Sequence, residues 1–279
     1  MKTLKLARAA AAVLALSAGL AQAAFVTQWN VVNDASFVPA SVLPASNTAP
    51  NPVLSNSNRT LKWGVPFAPN TFQSGLTISP PGAGVLVDTG VLTSTVTVTH
   101  DNFPINQGNS LTAVDIQANL TLQSNVPAGG PIVPGSTTFN VKFLETPNLG
   151  TAGVCADGGT PGVGININGC ADIFVIADNA LNFPFLYDSD GAGPDAALLY
   201  FVSFFADGFG TLSNAACAAA GAAAGCRGFE TAENQSTIKD FKILITGVPF
   251  GVPEPGSIAL TGLALASLGF IGRRRKQQK

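Results

Sequence analysis

Apolar and polar residues alternate along several short segments of this 279-residue chain. In the clearest of them, Val114–Gln123, every second residue is apolar and the residues between them are polar. That period of two puts the apolar side chains on one face and predicts a half-buried antiparallel strand. Weaker forms of the same alternation occur in five further segments: 25–32, 59–66, 92–99, 139–143 and 236–246.

Two other segments, Asp172–Ala177 and Leu198–Phe205, are almost uniformly apolar, which predicts central strands. Gly, Pro, Asn and Asp separate these segments at short intervals, and residues 47–58 are predicted to form a loop. The one helical candidate is the alanine-rich segment Ala215–Ala224. Many short strands separated by turn residues predict an all-β fold, an antiparallel β-sandwich with jelly-roll-like connections.

The two ends of the chain depart from this pattern and predict an exported protein. Residues 1–23 combine a basic start, an apolar stretch and a small-residue cleavage site, which is typical of a signal peptide. Near the other end, residues 257–272 carry no charge and are followed by the basic cluster Arg273–Lys276. Sixteen helical residues span roughly 24 Å, somewhat less than a bilayer core of about 30 Å. Because the basic cluster obeys the positive-inside rule, we predict a single transmembrane helix at 257–272.

The sequence Val-Pro-Glu-Pro, starting at Val252, precedes this helix. The motif, the apolar helix and the basic cluster, in that order, resemble the PEP-CTERM sorting signal. The resemblance implies a substrate of an exosortase, a membrane-embedded, cysteine transpeptidase-like enzyme of Gram-negative bacteria. It further implies a transient anchor in the inner membrane, cleavage near the motif, and transfer to the cell surface or an extracellular polysaccharide matrix. The residues implied in sorting are Pro253, Glu254, Pro255, Arg273, Arg274 and Arg275.

These assignments divide the chain into a signal peptide (1–23), a β-sandwich ectodomain (24–250) and a sorting signal (251–279). Between the signal and the helix, residues 24–256 contain sixteen acidic and six basic side chains, a net charge of −10. Nucleic-acid binding is disfavoured, because contacts to phosphates need clustered cations. The acidic balance favours divalent cations or a basic partner instead.

The four cysteines fall into two local pairs, Cys155 with Cys170 and Cys217 with Cys226. An exported chain meets an oxidising compartment, so we predict two disulfides. Four cysteines allow three pairings, of which we predict the local one. Zinc binding is the alternative, although separations of fifteen and nine residues are unlike the usual CxxC spacing.

A second resemblance lies in Thr99-His100-Asp101-Asn102, which is similar to the signature of the THxN family of PEP-CTERM proteins. That resemblance implies no particular biochemical activity. His100 is the only histidine, and one interpretation makes it a ligand or a pH-sensitive group. The other is that the motif forms a turn after the strand, with its side chains bonded to nearby backbone. The motif residues are Thr99, His100 and Asn102.

Three acids with a nearby glycine, Asp188, Asp190, Asp195 and Gly193, resemble a calcium-binding loop. Alternating oxygen ligands suit a hard cation, and glycine allows the chain to bend between them. The bidentate glutamate of an EF-hand has no counterpart, because Leu199 stands at its position. Calcium is thus the one cofactor that the sequence suggests, and an ordinary turn between two strands is the alternative.

No common catalytic motif occurs in the chain, and a single histidine excludes multi-histidine metal sites. We therefore predict a non-enzymatic surface or matrix protein. Its predicted partners are the processing enzyme, the membrane before processing, and an extracellular polysaccharide. The first alternative is a calcium-dependent carbohydrate-binding module. The second is a glycan-active hydrolase, which requires two acids roughly 5–9.5 Å apart in a cleft.

Overall fold

The computed structural model describes seven stretches of the chain: residues 23–46, 50–106, 109–148, 153–176, 182–189, 197–206 and 209–250. These stretches contain seventeen strands, one α-helix and two single-turn 3-10 helices, Pro39–Ser41 and Gly164–Asn166. Every strand pair is antiparallel. The fold is therefore all-β and antiparallel, as the alternation of apolar and polar residues predicts.

Eight strands form the first sheet: β1 (Gln28–Phe37), β2 (Leu43–Pro44), β7 (Val85–Asp88), β10 (Leu111–Val126), β11 (Pro131–Leu144), β12 (Asp172–Ile176), β15 (Gly210–Thr211) and β16 (Arg227–Thr231). Their spatial order is β15-β16-β12-β11-β10-β1-β7, and β2 also pairs with β10. The long strand β10 keeps the predicted alternation, with Val114, Ile116 and Ala118 all buried. Asp172–Ile176 is buried along its whole length, as expected of a central strand.

Seven strands form the second sheet: β3 (Val53–Ser55), β4 (Thr60–Trp63), β6 (Ser74–Ile78), β8 (Thr93–Asn102), β13 (Phe183–Tyr187), β14 (Leu198–Ala206) and β17 (Gln235–Thr246). Their spatial order is β13-β14-β17-β8-β6-β4-β3. Two further short strands, β5 (Val65–Pro66) and β9 (Ile105–Asn106), pair only with each other.

The two sheets bury one common apolar core. Trp29 of β1 meets Phe185 of β13 edge to face at 5.6 Å. Phe139 of β11 meets Phe204 of β14 in the same way at 5.5 Å. Contacts of this kind run between the inner faces of the two sheets, and the arrangement is that of a β-sandwich.

Two details of the predicted secondary structure are wrong. Segment 47–58 is not all loop, because Val53–Ser55 pairs with β4. The predicted helix Ala215–Ala224 is shorter and becomes α1 (Asn214–Ala219). It begins at the cap residue Ser213, whose hydroxyl accepts a hydrogen bond from the backbone N–H of Ala216. It ends before Gly221, whose φ of 69° lies in the left-handed region that glycine adopts readily.

Both predicted disulfides are present, Cys155–Cys170 and Cys217–Cys226. They leave no free cysteine for zinc, so the zinc alternative is wrong. Disulfides persist in oxidising compartments, and the pair therefore indicates an extracellular or periplasmic environment.

No helix within the seven stretches is both long and apolar enough to cross a membrane. The predicted transmembrane helix at 257–272 lies outside the described residues, as does the signal peptide up to residue 22. The six predicted sorting residues lie outside them too: Pro253, Glu254, Pro255, Arg273, Arg274 and Arg275.

Candidate functional site

The THxN residues lie inside a strand and not in a turn after it. Strand β8 continues to Asn102, where it pairs with Gln235 of β17. The two-residue period of the strand turns His100 and Asn102 inward, and neither has any exposed surface. Thr99 is half-buried on the opposite face. The turn interpretation of the motif is therefore wrong, and two of its residues belong to the core.

Three acidic side chains meet in the same region. Glu145 directly follows β11, Asp172 is the first residue of β12, and Glu233 lies in the turn between β16 and β17. One carboxylate oxygen from each lies within 4.8 Å of the other two. Asp172 and Glu233 are only 0 % and 1 % exposed. We call these three residues the acidic cluster.

The acidic cluster lies where the two sheets meet. Asp172 pairs with Thr231 in the first sheet, and Asn102 belongs to the second. The connection between β16 and β17, which carries Glu233, passes from one sheet to the other. The amide Nδ2 of Asn102 donates to the carbonyl oxygen of Thr231 at 2.9 Å, which is a direct bond between the two sheets.

Specific hydrogen bonds orient two of the acids. Glu145 Oε2 accepts a bond from the indole Nε1 of Trp63 at 2.8 Å. Asp172 Oδ1 accepts one from the backbone N–H of Thr146, also at 2.8 Å. The hydroxyl of Thr146 donates to the carbonyl oxygen of Cys170 at 2.8 Å, within the segment closed by the Cys155–Cys170 disulfide. The disulfide therefore braces the segment that places Asp172.

His100 lies among aromatic rings beside the acidic cluster. Its ring stacks on Trp63, with centroids 5.9 Å apart and an interplanar angle of 12°, and meets the edge of Phe143 at 5.0 Å. Its Nε2 is 3.8 Å from Asp172 Oδ2, too far for a hydrogen bond. Burial lowers the pKa of His100 to about 3, so the ring is neutral at physiological pH.

The acids are shifted in the opposite direction. Burial raises the pKa of Glu145 to about 8 and that of Glu233 to about 7. Burial and, next, the charge of Glu145 raise the pKa of Asp172 well above its usual value. Two like charges 4 Å apart repel by about 4 kcal/mol at an effective dielectric constant of about 20. The three carboxylates therefore need either bound protons or an opposite charge.

Unpaired polar atoms are concentrated at this site. Across the stretches that the structure describes, ten buried side-chain nitrogen or oxygen atoms have no hydrogen-bond partner. Eight of these ten atoms belong to the acidic cluster, to His100 and Asn102, and to Thr231. Buried polar atoms in folded proteins are nearly always paired, so such a concentration calls for an explanation. The six oxygens among them are Glu145 Oε1, Asp172 Oδ2, Glu233 Oε1, Glu233 Oε2, Asn102 Oδ1 and Thr231 Oγ1. The two nitrogens are Nδ1 and Nε2 of His100.

The predicted calcium loop is a separate region. Asp188 follows directly after β13 and is half-buried, whereas Asp190 and Asp195 lie outside the described residues. Calcium binding by these three acids therefore stays a prediction.

Sequence analysis found His100 and Asn102 but missed all three acids of the cluster. One signal was available, because Asp172 is a charged residue at the start of an otherwise wholly apolar strand. Glu145 and Glu233 stand in loops with no distinctive pattern around them, and only the fold brings them to Asp172.

No protein-family model matches this chain, and no curated protein matches it. The resemblances of the sorting tail and of the THxN motif therefore remain predictions that rest on the residues alone.

Proposed function

We propose that this chain is a non-enzymatic protein of the cell surface or extracellular matrix, exported by its signal peptide. An exosortase-type enzyme processes it at the C-terminal sorting signal, after the helix at 257–272 has held it in the inner membrane. The observation that carries this proposal is the pair of disulfides, because cytosolic proteins rarely keep such bonds. The jelly-roll-like connectivity of the ectodomain belongs to the same proposal.

The burial of the acidic cluster supports a non-enzymatic role. Glycoside hydrolysis needs two carboxyl groups roughly 5–9.5 Å apart in a cleft that admits the sugar chain. Here the carboxylate oxygens lie within 4.8 Å of one another, and Asp172 and Glu233 are almost without exposed surface. A polysaccharide has no access to groups buried in this way, which weighs against the hydrolase alternative.

The sorting signal is tested by neutralising its basic cluster. With Arg273, Arg274 and Arg275 all changed to Gln, the positive charge that fixes the orientation of the helix falls sharply. We expect the full-length chain to accumulate in membranes and the shortened form to disappear from the cell surface. Immunoblots of membrane and surface fractions, with mass spectrometry of the mature C-terminus, measure both effects.

The matched control changes the same three residues to Lys and keeps their charge. This variant should be processed like the wild type. Surface protein that still carries residues 257–279 in wild-type cells would contradict the proposal, and so would normal processing of the Gln variant.

Exposed aromatic rings favour a carbohydrate-binding module as a second candidate. Phe67 and Phe72 are 55 % and 61 % exposed, and the ring of Phe72 lies 5.2 Å from that of Phe103. Phe103 directly follows Asn102 in the chain. We expect the full-length protein to bind a subset of polysaccharides on a glycan array with calcium present, and Phe72→Ala to lose that binding. Phe250→Ala, which removes another exposed ring, is the control; equal binding by both variants would reject this candidate.

A further inference from the structure

We propose that the acidic cluster, together with Asn102 and Thr231, binds one calcium ion that ties the two sheets together. The site is distinct from the Asp188 loop suggested by the sequence. It uses the inward-facing residues of the THxN motif, and it does not depend on how the chain is sorted.

The spacing of the acids fits calcium. Calcium lies 2.3–2.6 Å from its oxygen ligands, so oxygens on opposite sides of the ion are roughly 4.6–5.2 Å apart. One carboxylate oxygen each from Glu145, Asp172 and Glu233 lies within 4.8 Å of the others, so all three can contact one ion of this size. Magnesium usually keeps several waters and binds through one or two carboxylates, so a site with three carboxylates suits it less well.

The number and kind of unpaired atoms also fit calcium. Calcium takes six to eight oxygen ligands from carboxylates, amide carbonyls, hydroxyls and water. The site offers six buried oxygens that have no hydrogen-bond partner, four of them on the acidic cluster. A proton shared between Glu145 and Asp172 pairs one oxygen of each of these two acids, whereas a cation among the three acids contacts an oxygen of every one of them. A single cation at the centre satisfies them together.

Asn102 points to a ligand independently of the acids. It is wholly buried, and its Oδ1 has no partner, whereas its Nδ2 is held by the carbonyl oxygen of Thr231. The side chain also neighbours the carboxyl of Glu233. A buried amide oxygen with no partner is unfavourable unless a donor or a cation reaches it.

His100 has a positioning role in this arrangement. Imidazole nitrogen is a poor match for calcium, which prefers oxygen. The Nε2 of His100 lies 3.8 Å from Asp172 Oδ2, on the far side of one ligand. A small movement brings its N–H to that carboxylate once Asp172 is ionised and bound to the ion. Such outer contacts orient the ligands of many metal sites.

The ion would hold together segments that are far apart in the sequence. Glu145 and Asp172 flank the disulfide-closed segment between β11 and β12, and Glu233 lies in the connection from β16 to β17 that links the sheets. Extracellular calcium modules bind with dissociation constants of about 10⁻⁴–10⁻³ M. A site of that affinity fills only after export, so calcium would complete the fold outside the cytoplasm.

The test uses the full-length protein, purified in detergent and stripped with EDTA. Calcium at a hundredfold excess over Kd should raise the Tm by roughly 5–10 °C. Magnesium, or sodium chloride at matched ionic strength, should raise it much less. Glu233→Gln should lose the calcium response, because it removes a charged ligand and keeps the side-chain size.

Asp101→Asn is the matched control, since Asp101 neighbours Asn102 but lies on the opposite face of β8. It removes the same charge and should keep the full response. Asp188→Asn separates this site from the predicted loop. The proposal is wrong if Asp188→Asn abolishes the rise in Tm and Glu233→Gln keeps it. It is also wrong if zinc or manganese raises the Tm in place of calcium.

Terbium luminescence locates the ion even where a ligand variant fails to fold. Terbium replaces calcium and emits when a nearby indole is excited. Trp63, which donates to Glu145, should sensitise it, so Trp63→Phe should lose the emission and Trp29→Phe should keep it. Absence of sensitised emission from the wild type, or equal emission from both variants, would overturn the assignment.

Discussion

The two tryptophans of this chain are both fully buried, but their polar neighbours differ. The indole Nε1 of Trp29 donates to the hydroxyl of Thr89 at 3.0 Å, and that hydroxyl donates to the carbonyl oxygen of Val26 at 2.7 Å. The indole Nε1 of Trp63 donates instead to one oxygen of Glu145, whose other oxygen has no partner. The first set is neutral and complete, and the second contains a titratable acid and is incomplete.

The rings around each tryptophan show the same contrast. Tyr187 and Tyr200 pack edge to face on Trp29, and each hydroxyl takes part in a backbone hydrogen bond of 2.7 Å. His100 stacks on Trp63, and neither of its nitrogens has a partner. This fold can therefore satisfy buried polar atoms in its core. The unpaired atoms near Trp63 follow from the acidic cluster, and a bound cation accounts for them.

The largest effect should come from removing the covalent brace of the Trp63 region. Cys155→Ser with Cys170→Ser should lower the free energy of unfolding by about 2–4 kcal/mol. It should also weaken calcium binding, because Thr146 links Cys170 to Asp172. Chemical denaturation and calcium titration of the full-length protein measure the two effects.

The second disulfide is the control for that prediction. Cys217→Ser with Cys226→Ser should cost a similar free energy of unfolding, but calcium affinity should not change, because this bond braces the region of α1. Equal loss of calcium affinity in both double variants would show that the first disulfide has no particular link to the site.

A smaller effect is expected when each indole N–H is removed. Trp29→Phe loses a hydrogen bond between neutral groups, worth about 0.5–1.5 kcal/mol, and the loss should be the same with calcium or EDTA. Trp63→Phe loses a bond to a charged acceptor, worth about 1.5–3 kcal/mol when Glu145 is ionised. Its cost should therefore be larger with calcium than with EDTA. Thermal unfolding of both variants in both buffers checks this, and a calcium-independent cost for Trp63→Phe would contradict it.

The sequence predicts the strands well because period two is local information. Val114–Gln123 lies within β10, and Asp172–Ile176, apolar except for its first residue, is indeed buried. Residues 99–102 were harder to interpret, because His, Asp and Asn are frequent in turns. The two-residue period that starts at Val96 and Val98 continues through His100 to Asn102. This continued period is the signal that would have extended the predicted strand.

The site itself could not be predicted in full, for a physical reason. Glu145, Asp172 and Glu233 are each 27 or more residues from the next, and only the pairing of β11, β12 and β16 brings them together. No local pattern encodes that pairing. The Asp188 loop was the stronger candidate in the sequence because its acids are close along the chain.

A modest effect of pH should separate the calcium-free and calcium-bound protein. The pKa values of Glu145 and Glu233 are raised from 4.5 to about 8 and about 7. In the calcium-free protein, these two glutamates therefore stabilise the fold fully below about pH 4.5. That stabilisation is lost as the pH rises through about 7 and 8, where the two side chains ionise. The pKa of His100 is lowered from 6.5 to about 3, so its contribution is lost as the pH falls below 6.5.

Calcium must displace the protons of the two glutamates, so its affinity should increase with pH. The rise in Tm caused by calcium should be greater at about pH 8 than at about pH 6. Scanning calorimetry at both values measures it, with Asp101→Asn as the control that keeps the trend. A rise in Tm that does not change between these pH values would argue against ligands with raised pKa values.

The two faces of the THxN motif should differ, and the outer face should give the smallest effect of all. Thr99→Ala, on the outer face of β8, should change the free energy of unfolding by less than about 0.5 kcal/mol. Asn102→Ala, on the inner face, should cost about 1–3 kcal/mol, because the buried carbonyl oxygen of Thr231 loses its donor. Urea denaturation compares the two, and similar costs would mean that inward placement is not what matters in this motif.

The most direct test of the calcium site is a crystal structure of the terbium-bound protein, with anomalous scattering used to locate the ion. We expect one strong peak about 2.3–2.6 Å from carboxylate oxygens of Glu145, Asp172 and Glu233, on the inner side of β8 next to Asn102. A peak at Asp188 with none at the acidic cluster would contradict the account, as would a cluster that binds no ion in crystals grown with excess terbium.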